Sequence, residues 1–146
     1  MNKLPKAKLP RAKIKNRKDA GRFIGIPMAL LDSPNYLKLS FKAIKLLLEA
    51  GRQYNGFNNG DICLSSSLMR DRGWNSNATL QEALEELVHY GFLMLTRQGG
   101  RNKASLYAIT WKEINDCKGK LDVQPTRIPP GTWKEPRATF IPKRKK

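Results

Sequence analysis

Cysteine, histidine and acidic residues are all scarce in this chain of 146 residues, and each shortage removes a class of function. The two cysteines, Cys63 and Cys117, are too few for a disulfide framework, and neither sits in a CxxC pair or a Cys/His cluster, which counts against zinc. A reducing, cytoplasmic setting is expected. The single histidine, His89, lies between Val88 and Tyr90, and the sequence has no paired-carboxylate signature and no GxSxG. Gly99 and Gly100 fall in a hairpin pattern rather than a strand-to-helix phosphate loop, so no enzyme activity, catalytic residue, metal or cofactor is expected. Long apolar runs are missing too. The longest, Phe23 to Leu31, contains Pro27 and stops at Asp32, far short of a membrane span and without a cleavage-site pattern.

What is abundant is positive charge, and it is concentrated at the ends. Residues 1 to 18 hold eight Lys or Arg and no acid, residues 127 to 146 hold seven against Glu135 alone, and residues 19 to 126 hold thirteen bases against eleven acids. Fourteen of the sixteen net positive charges are therefore terminal. Like charges repel, and apolar residues in these ends are too sparse to offset the cost of ordering backbone, so both ends read as disordered basic arms. The division expected is an arm over residues 1–22, a body over 23–116 and a Pro-containing tail over 117–146. A polyanion is the natural partner, and nucleic acid the first choice, because each neutralised phosphate releases counterions without any need for a sequence match.

Within the body, Phe23, Ile24 and Ile26 before Pro27 suggest a short edge strand, and Met28 to Leu31 one helical turn before Ser33 and Pro34. Ser40 is a plausible N-cap for a first long helix, Phe41 to Tyr54, whose apolar set is Phe41, Ala43, Ile44, Leu46, Leu47 and Leu48. Asn55, Gly56, Asn58, Asn59 and Gly60 supply a turn tolerant of positive φ, and Ile62 to Leu64 a minimal strand. Ser65 or Ser66 caps a short second helix ending at Gly73, and Leu80, Ala83, Leu84, Leu87 and Val88 repeat with helical period in a third helix ending at Gly91. Phe92–Thr96 and Leu106–Trp111 form a β-hairpin around a basic, glycine-centred tip, and a helical turn is expected between Trp111 and Asp116.

The segments Leu31–Pro34, Tyr54–Asn55, Asn59–Ser65 and Gly91–Phe92, in that order and spacing, resemble the small winged helix-turn-helix proteins of bacterial plasmids, phages and integrated elements. They are also similar to the N-terminal DNA-binding domains of phage and plasmid replication initiators. The likeness covers roughly residues 22 to 112. It implies an α+β fold of three helices plus a β-hairpin wing. It also implies double-stranded DNA as partner, and a role as transcriptional regulator or as replication or maintenance factor. Two departures stand out: Trp74 replaces a small aliphatic in the turn, and the third helix is acidic at Glu82, Glu85 and Glu86 where relatives often carry Arg or Lys.

With Leu84 taken as the centre of the buried face, Ala78, Thr79, Glu82, Glu86 and His89 are expected to point outward. Only the first turns of such a helix reach base edges, so Asn75, Ser76, Asn77, Ala78, Thr79 and Glu82 are the readout candidates, with simple capping as the plainer role of the first three. Arg97, Arg101, Asn102 and Lys103 at the hairpin tip are candidates for backbone or minor-groove contact. Ser66, Arg70 and Arg72 are candidates for positioning. Lys13, Lys15, Arg17, Lys18, Lys143, Arg144, Lys145 and Lys146 are candidates for phosphate contact from the arms. Trp133 is expected to dock on the body, a protein partner or a base stack being the alternatives. No coiled-coil heptads are visible, which favours a monomer or weak homodimer in a nucleoid-associated, cytoplasmic setting. Two rival readings are a structural, ribonucleoprotein-associated RNA binder whose arms thread between helices, and an adaptor whose neutral body binds protein.

Overall fold

The structure is a computed structural model and describes residues 21–143. Among those residues the chain is α+β, with five α-helices and one two-stranded antiparallel sheet. Residues 21–27 have no regular structure, so the expected edge strand is absent. Pro27 lacks an N–H, and the backbone here finds another use: Gly25 O accepts from Trp111 Nε1 at 2.9 Å. Two single-turn helices follow, α1 (Met28–Leu31) and α2 (Pro34–Leu37). Ser33 joins them, its Oγ donating to Leu30 O at 2.6 Å and accepting from Tyr36 N at 3.2 Å.

Helix α3 (Phe41–Gln53) starts where Ser40 Oγ accepts from Ala43 N. It buries Ala43, Leu46, Leu47 and Ala50 but leaves Leu48 and Phe41 exposed. The short α4 (Ser66–Arg70) leads through Gly73, at φ +92°, to α5 (Asn77–His89), and α3 packs against α5 through Leu80, Ala83, Leu84 and Leu87. The hairpin is β1 (Leu93–Arg97) and β2 (Leu106–Ile109), pairing Leu93 with Ile109 and Leu95 with Tyr107, with a bulge between Leu95 and Arg97. The minimal strand expected at Ile62–Leu64 reduces to one bridge, Ile62 with Tyr107.

Asn59 does not serve the turn through its backbone alone. It is fully buried, its Nδ2 donates to Ile109 O, Lys112 O and Glu113 O at 2.9, 3.1 and 2.9 Å, and its Oδ1 accepts from Ile109 N at 2.8 Å. Carbonyls held this way are lost to a helix, which accounts for the absence of the helical turn expected before Asp116; a 3₁₀ turn at Cys117–Gly119 comes instead.

The tail is the largest departure from expectation. Residues 117–143 are not a disordered arm but a strap laid over the body. Asp122 N donates to Thr96 O, Thr126 N to Ile114 O, and Gly131 N to Thr110 O. Trp133 is buried in the core cluster, as its docking required. Asn35 holds the strap: its Nδ2 donates to Tyr90 O, Trp133 O and Glu135 O at 3.1, 3.0 and 2.7 Å, and its Oδ1 accepts from Arg137 N at 2.9 Å. The physical reason is twofold. Pro129, Pro130 and Pro136 restrict the unfolded chain and lower the ordering cost, and burying an indole contributes on the order of 3–5 kcal/mol as an upper estimate. Charge density alone therefore misjudged this segment.

Candidate nucleic-acid interface

Helix α5 owes its start to Ser76, whose Oγ accepts from Thr79 N at 3.2 Å, so Ser76 caps the helix as the plainer reading had it. Asn75, Asn77 and Ala78 are exposed beside it, and Thr79 is half-buried. Further along, the outward face differs from expectation. Glu86 is buried, its carboxylate accepting from Ser40 N at 2.7 Å and Ser40 Oγ at 2.9 Å, so it tethers the start of α3. His89 Nε2 lies 2.6 Å from Ala138 O, under the strap. Glu82 is mostly covered and faces Lys42 Nζ at 3.8 Å. The buried stripe centres nearer Leu80 and Leu87 than Leu84, because α3 and the strap flank the helix on one side. The open ridge is instead Asn77, Ala78, Gln81 and the half-buried Glu85. Gln81 escaped the sequence reading, although it stands three residues after Ala78, at helical spacing.

Beside this ridge the start of α4, the first turns of α5 and the tip end of the hairpin's second strand line a shared groove of about 250 Å³. Its polar walls are Ser65, Ser66, Asn77, Gln81 and Ser105, groups able both to donate and to accept. Ser66 and Asn77, both candidates, line the same groove; Ser105 was not anticipated, and its only sequence signal is its place beside the tip. Of the second-helix cations, Arg70 is exposed with no partner among the described residues. Arg72 is committed elsewhere: its Nε and Nη2 donate to Glu49 at 2.9 and 3.2 Å, which raises its pKa above the ordinary value and makes it a strut between α4 and α3. It is not a free phosphate contact. Lys45 likewise donates to Arg72 O at 3.3 Å and lies over the Trp74 ring.

No family model matches the chain, and no curated protein or solved structure is detectably similar to it.

The hairpin tip closes through Gly100 N to Lys103 O at 2.9 Å and Lys103 N to Gly100 O at 3.2 Å, with Arg101 and Asn102 at the corner. Asn102 takes φ +61°, the left-handed conformation that Asn tolerates best after Gly, so its role is to make the turn. Arg97 braces the hairpin, Nη2 donating to Ala104 O at 2.8 Å while Nε is buried without a partner among the described residues. Arg101 and Lys103 are the exposed cations of the tip, held by no ion pair among the described residues. Lys143 lies 4.0 Å from Glu85. Lys13, Lys15, Arg17, Lys18, Arg144, Lys145 and Lys146 lie outside the described residues.

Among the described residues no cluster of His, Cys, Asp and Glu is close enough to hold a metal ion, and no helix is long and apolar enough to cross a membrane. Cys117 is a poor nucleophile at neutral pH, since burial and then Asp61 raise its thiol above the ordinary value.

Proposed function

We propose that the chain is a double-stranded DNA-binding protein of winged helix-turn-helix type, without catalytic activity of its own. Helix α5 enters the major groove by its N-terminal half, with Asn77 and Gln81 hydrogen-bonding base edges and Ala78 meeting a thymine methyl. Arg101 and Lys103 follow the phosphate backbone or the adjacent minor groove, and Arg70 adds a positioning contact. The two ends, which hold fourteen of the sixteen net positive charges, supply affinity independent of sequence. The biological setting proposed is cytoplasmic, as regulator or as replication or maintenance factor of a mobile element.

The observation that carries this reading is the groove joining α4, α5 and the hairpin beside its tip. It sets an exposed, amide-bearing helix ridge next to a loop whose cations are unspent. A protein adaptor has no need for that juxtaposition. The test is selection of bound duplexes from a random pool at moderate salt, followed by titration of the enriched site with the full chain and with Arg101→Ala/Lys103→Ala. The reading expects an enriched motif, a loss of about tenfold in affinity for the double variant and a salt slope shallower by about 2. Tighter binding to structured RNA than to any duplex, or an unchanged duplex affinity in the double variant, contradicts it.

A further inference from the structure

In a chain of net charge +16, the groove between α4, α5 and the hairpin is uncharged: no Lys, Arg, Asp or Glu lines it. Its polar side chains are serine and tyrosine hydroxyls and the amides of Asn77 and Gln81. The two amides stand four residues apart on α5, so they share one face of the helix and border the same groove.

Base edges in a major groove differ in what they ask of a protein. Guanine offers two acceptors, O6 and N7, and is read best by Arg or Lys; cytosine offers an amino donor, read by Asp or Glu; adenine offers the donor N6 and the acceptor N7, which one carboxamide matches with two bonds. Helix α5 has no Lys or Arg among its thirteen residues. Its carboxylates beside the ridge are turned to other partners and do not line the groove. Glu82 faces Lys42 Nζ at 3.8 Å, while Glu85 accepts from Gln81 Nε2 at 3.2 Å and faces Lys143 Nζ at 4.0 Å. The bond to Glu85 also orients Gln81. An ionised carboxylate only accepts, so the amide nitrogen is the atom that faces it, and Oε1 with the second N–H is left for an incoming base. Serine hydroxyls pair with any base, so the choice among bases falls to the amides.

We propose that the bases read by α5 are adenines, so that the preferred duplex carries A·T pairs at the centre of the contact. The inference rests on the DNA-binding reading above and names its target class. Four residues of helix advance about 6 Å and one base step about 3.4 Å, which sets the two adenines one or two steps apart. Ala78, exposed beside Asn77, meets the methyl group of a thymine within that run. Both amides are uncharged, so they add discrimination without adding to the salt-dependent affinity.

The experiment titrates the full chain and Gln81→Ala with the duplex enriched from a random pool, unmodified and with single adenines replaced by 7-deazaadenine. That replacement removes the N7 acceptor from the major groove and leaves Watson–Crick pairing intact. Gln81 is exposed and Ala is a strong helix former, so the variant keeps the fold. The inference predicts an enriched motif with A·T pairs one or two steps apart. It also predicts one adenine at which 7-deaza replacement weakens the full chain about fivefold but Gln81→Ala less than about twofold, with the same salt slope for both proteins. Asn77→Ala is expected to show the same coupling at a second adenine. Saturable binding with G·C pairs at the fixed positions, with no fixed positions, or with equal 7-deaza costs in full chain and variants overturns the inference and leaves the DNA-binding reading standing. Absence of saturable duplex binding by the unaltered chain removes that reading itself, and the adenine preference with it.

Discussion

Two asparagines decide more of this structure than any charged residue. Asn35 and Asn59 are both fully buried, and each uses two amide hydrogens on three carbonyls and one carbonyl oxygen on a backbone N–H. A buried donor or acceptor left without a partner costs about 1–3 kcal/mol, so Asn35→Ala, which strips partners from Tyr90, Trp133, Glu135 and Arg137, is expected to lower stability by about 2–4 kcal/mol. Urea denaturation measures this directly, and a change below about 0.5 kcal/mol would mean the strap does not depend on that side chain. Neither role is legible in the sequence. Asn is a common turn residue, and Asn59 beside Gly60 has every appearance of one; a side chain that knits segments about 50 or 100 positions apart leaves no local pattern. Caps are different. Ser40 and Ser76 act on backbone three residues away, and the sequence singled out Ser40 and narrowed the second cap to Asn75, Ser76 or Asn77.

At the level of elements, local periodicity located α3, α5 and the hairpin to within a residue or two, because each buries a face whose spacing is written in its own residues, whereas α4, read from its serine cap and Gly73, ends three residues early at Arg70. What periodicity could not supply was the rotation of α5. The stripe Leu80, Leu84, Leu87 is compatible with several outward faces, and the choice was made by neighbours far away in sequence: Ser40 drawing in Glu86, and Ala138 covering His89. Hence the candidate readout surface gained Gln81, Glu82 is mostly covered, and Glu86, expected to point outward, is buried. The join between α5 and β1 also carries the strap. Gly91 has φ +81°, its carbonyl accepts from Thr110 Oγ1 and Thr132 Oγ1, and a Cβ there would stand 2.5 Å from Thr132 O. Gly91→Ala is therefore expected to cost about 2 kcal/mol or more, through left-handed strain and displacement of the Thr132–Trp133 segment. Trp fluorescence should report the displacement as a red shift from Trp133; a variant of unchanged emission and unchanged melting temperature would contradict the close packing.

For the whole molecule, three acidic groups share a direction. Burial raises Tyr107, burial and then Glu113 raise Tyr54, and burial and then Asp61 raise Cys117, from ordinary values of 10.0, 10.0 and 9.0. Each is held protonated more tightly in the folded chain than in the unfolded one, so the stabilisation they give is complete below those ordinary values and fades as pH rises through the higher folded ones. Thermal unfolding followed from pH 7 to 11 should show the melting temperature falling above about pH 9; a flat profile would mean that these groups are no more shielded than in the unfolded chain. Charge, the strongest feature of the sequence, bears instead on the partner. It identified the ends as cationic, but it missed that the described part of the C-terminal end is anchored by Trp133 and Asn35, because a few well-placed apolar and amide groups outweigh mean composition. The account's central claim is that a folded face, α5 together with the hairpin, meets the duplex. Amide chemical-shift mapping during titration with duplex DNA tests it most directly: the account predicts concerted shifts at Asn77, Ala78 and Gln81 and from Gly99 to Lys103, and shifts confined to the basic ends, with α5 and the hairpin tip unmoved, would contradict it.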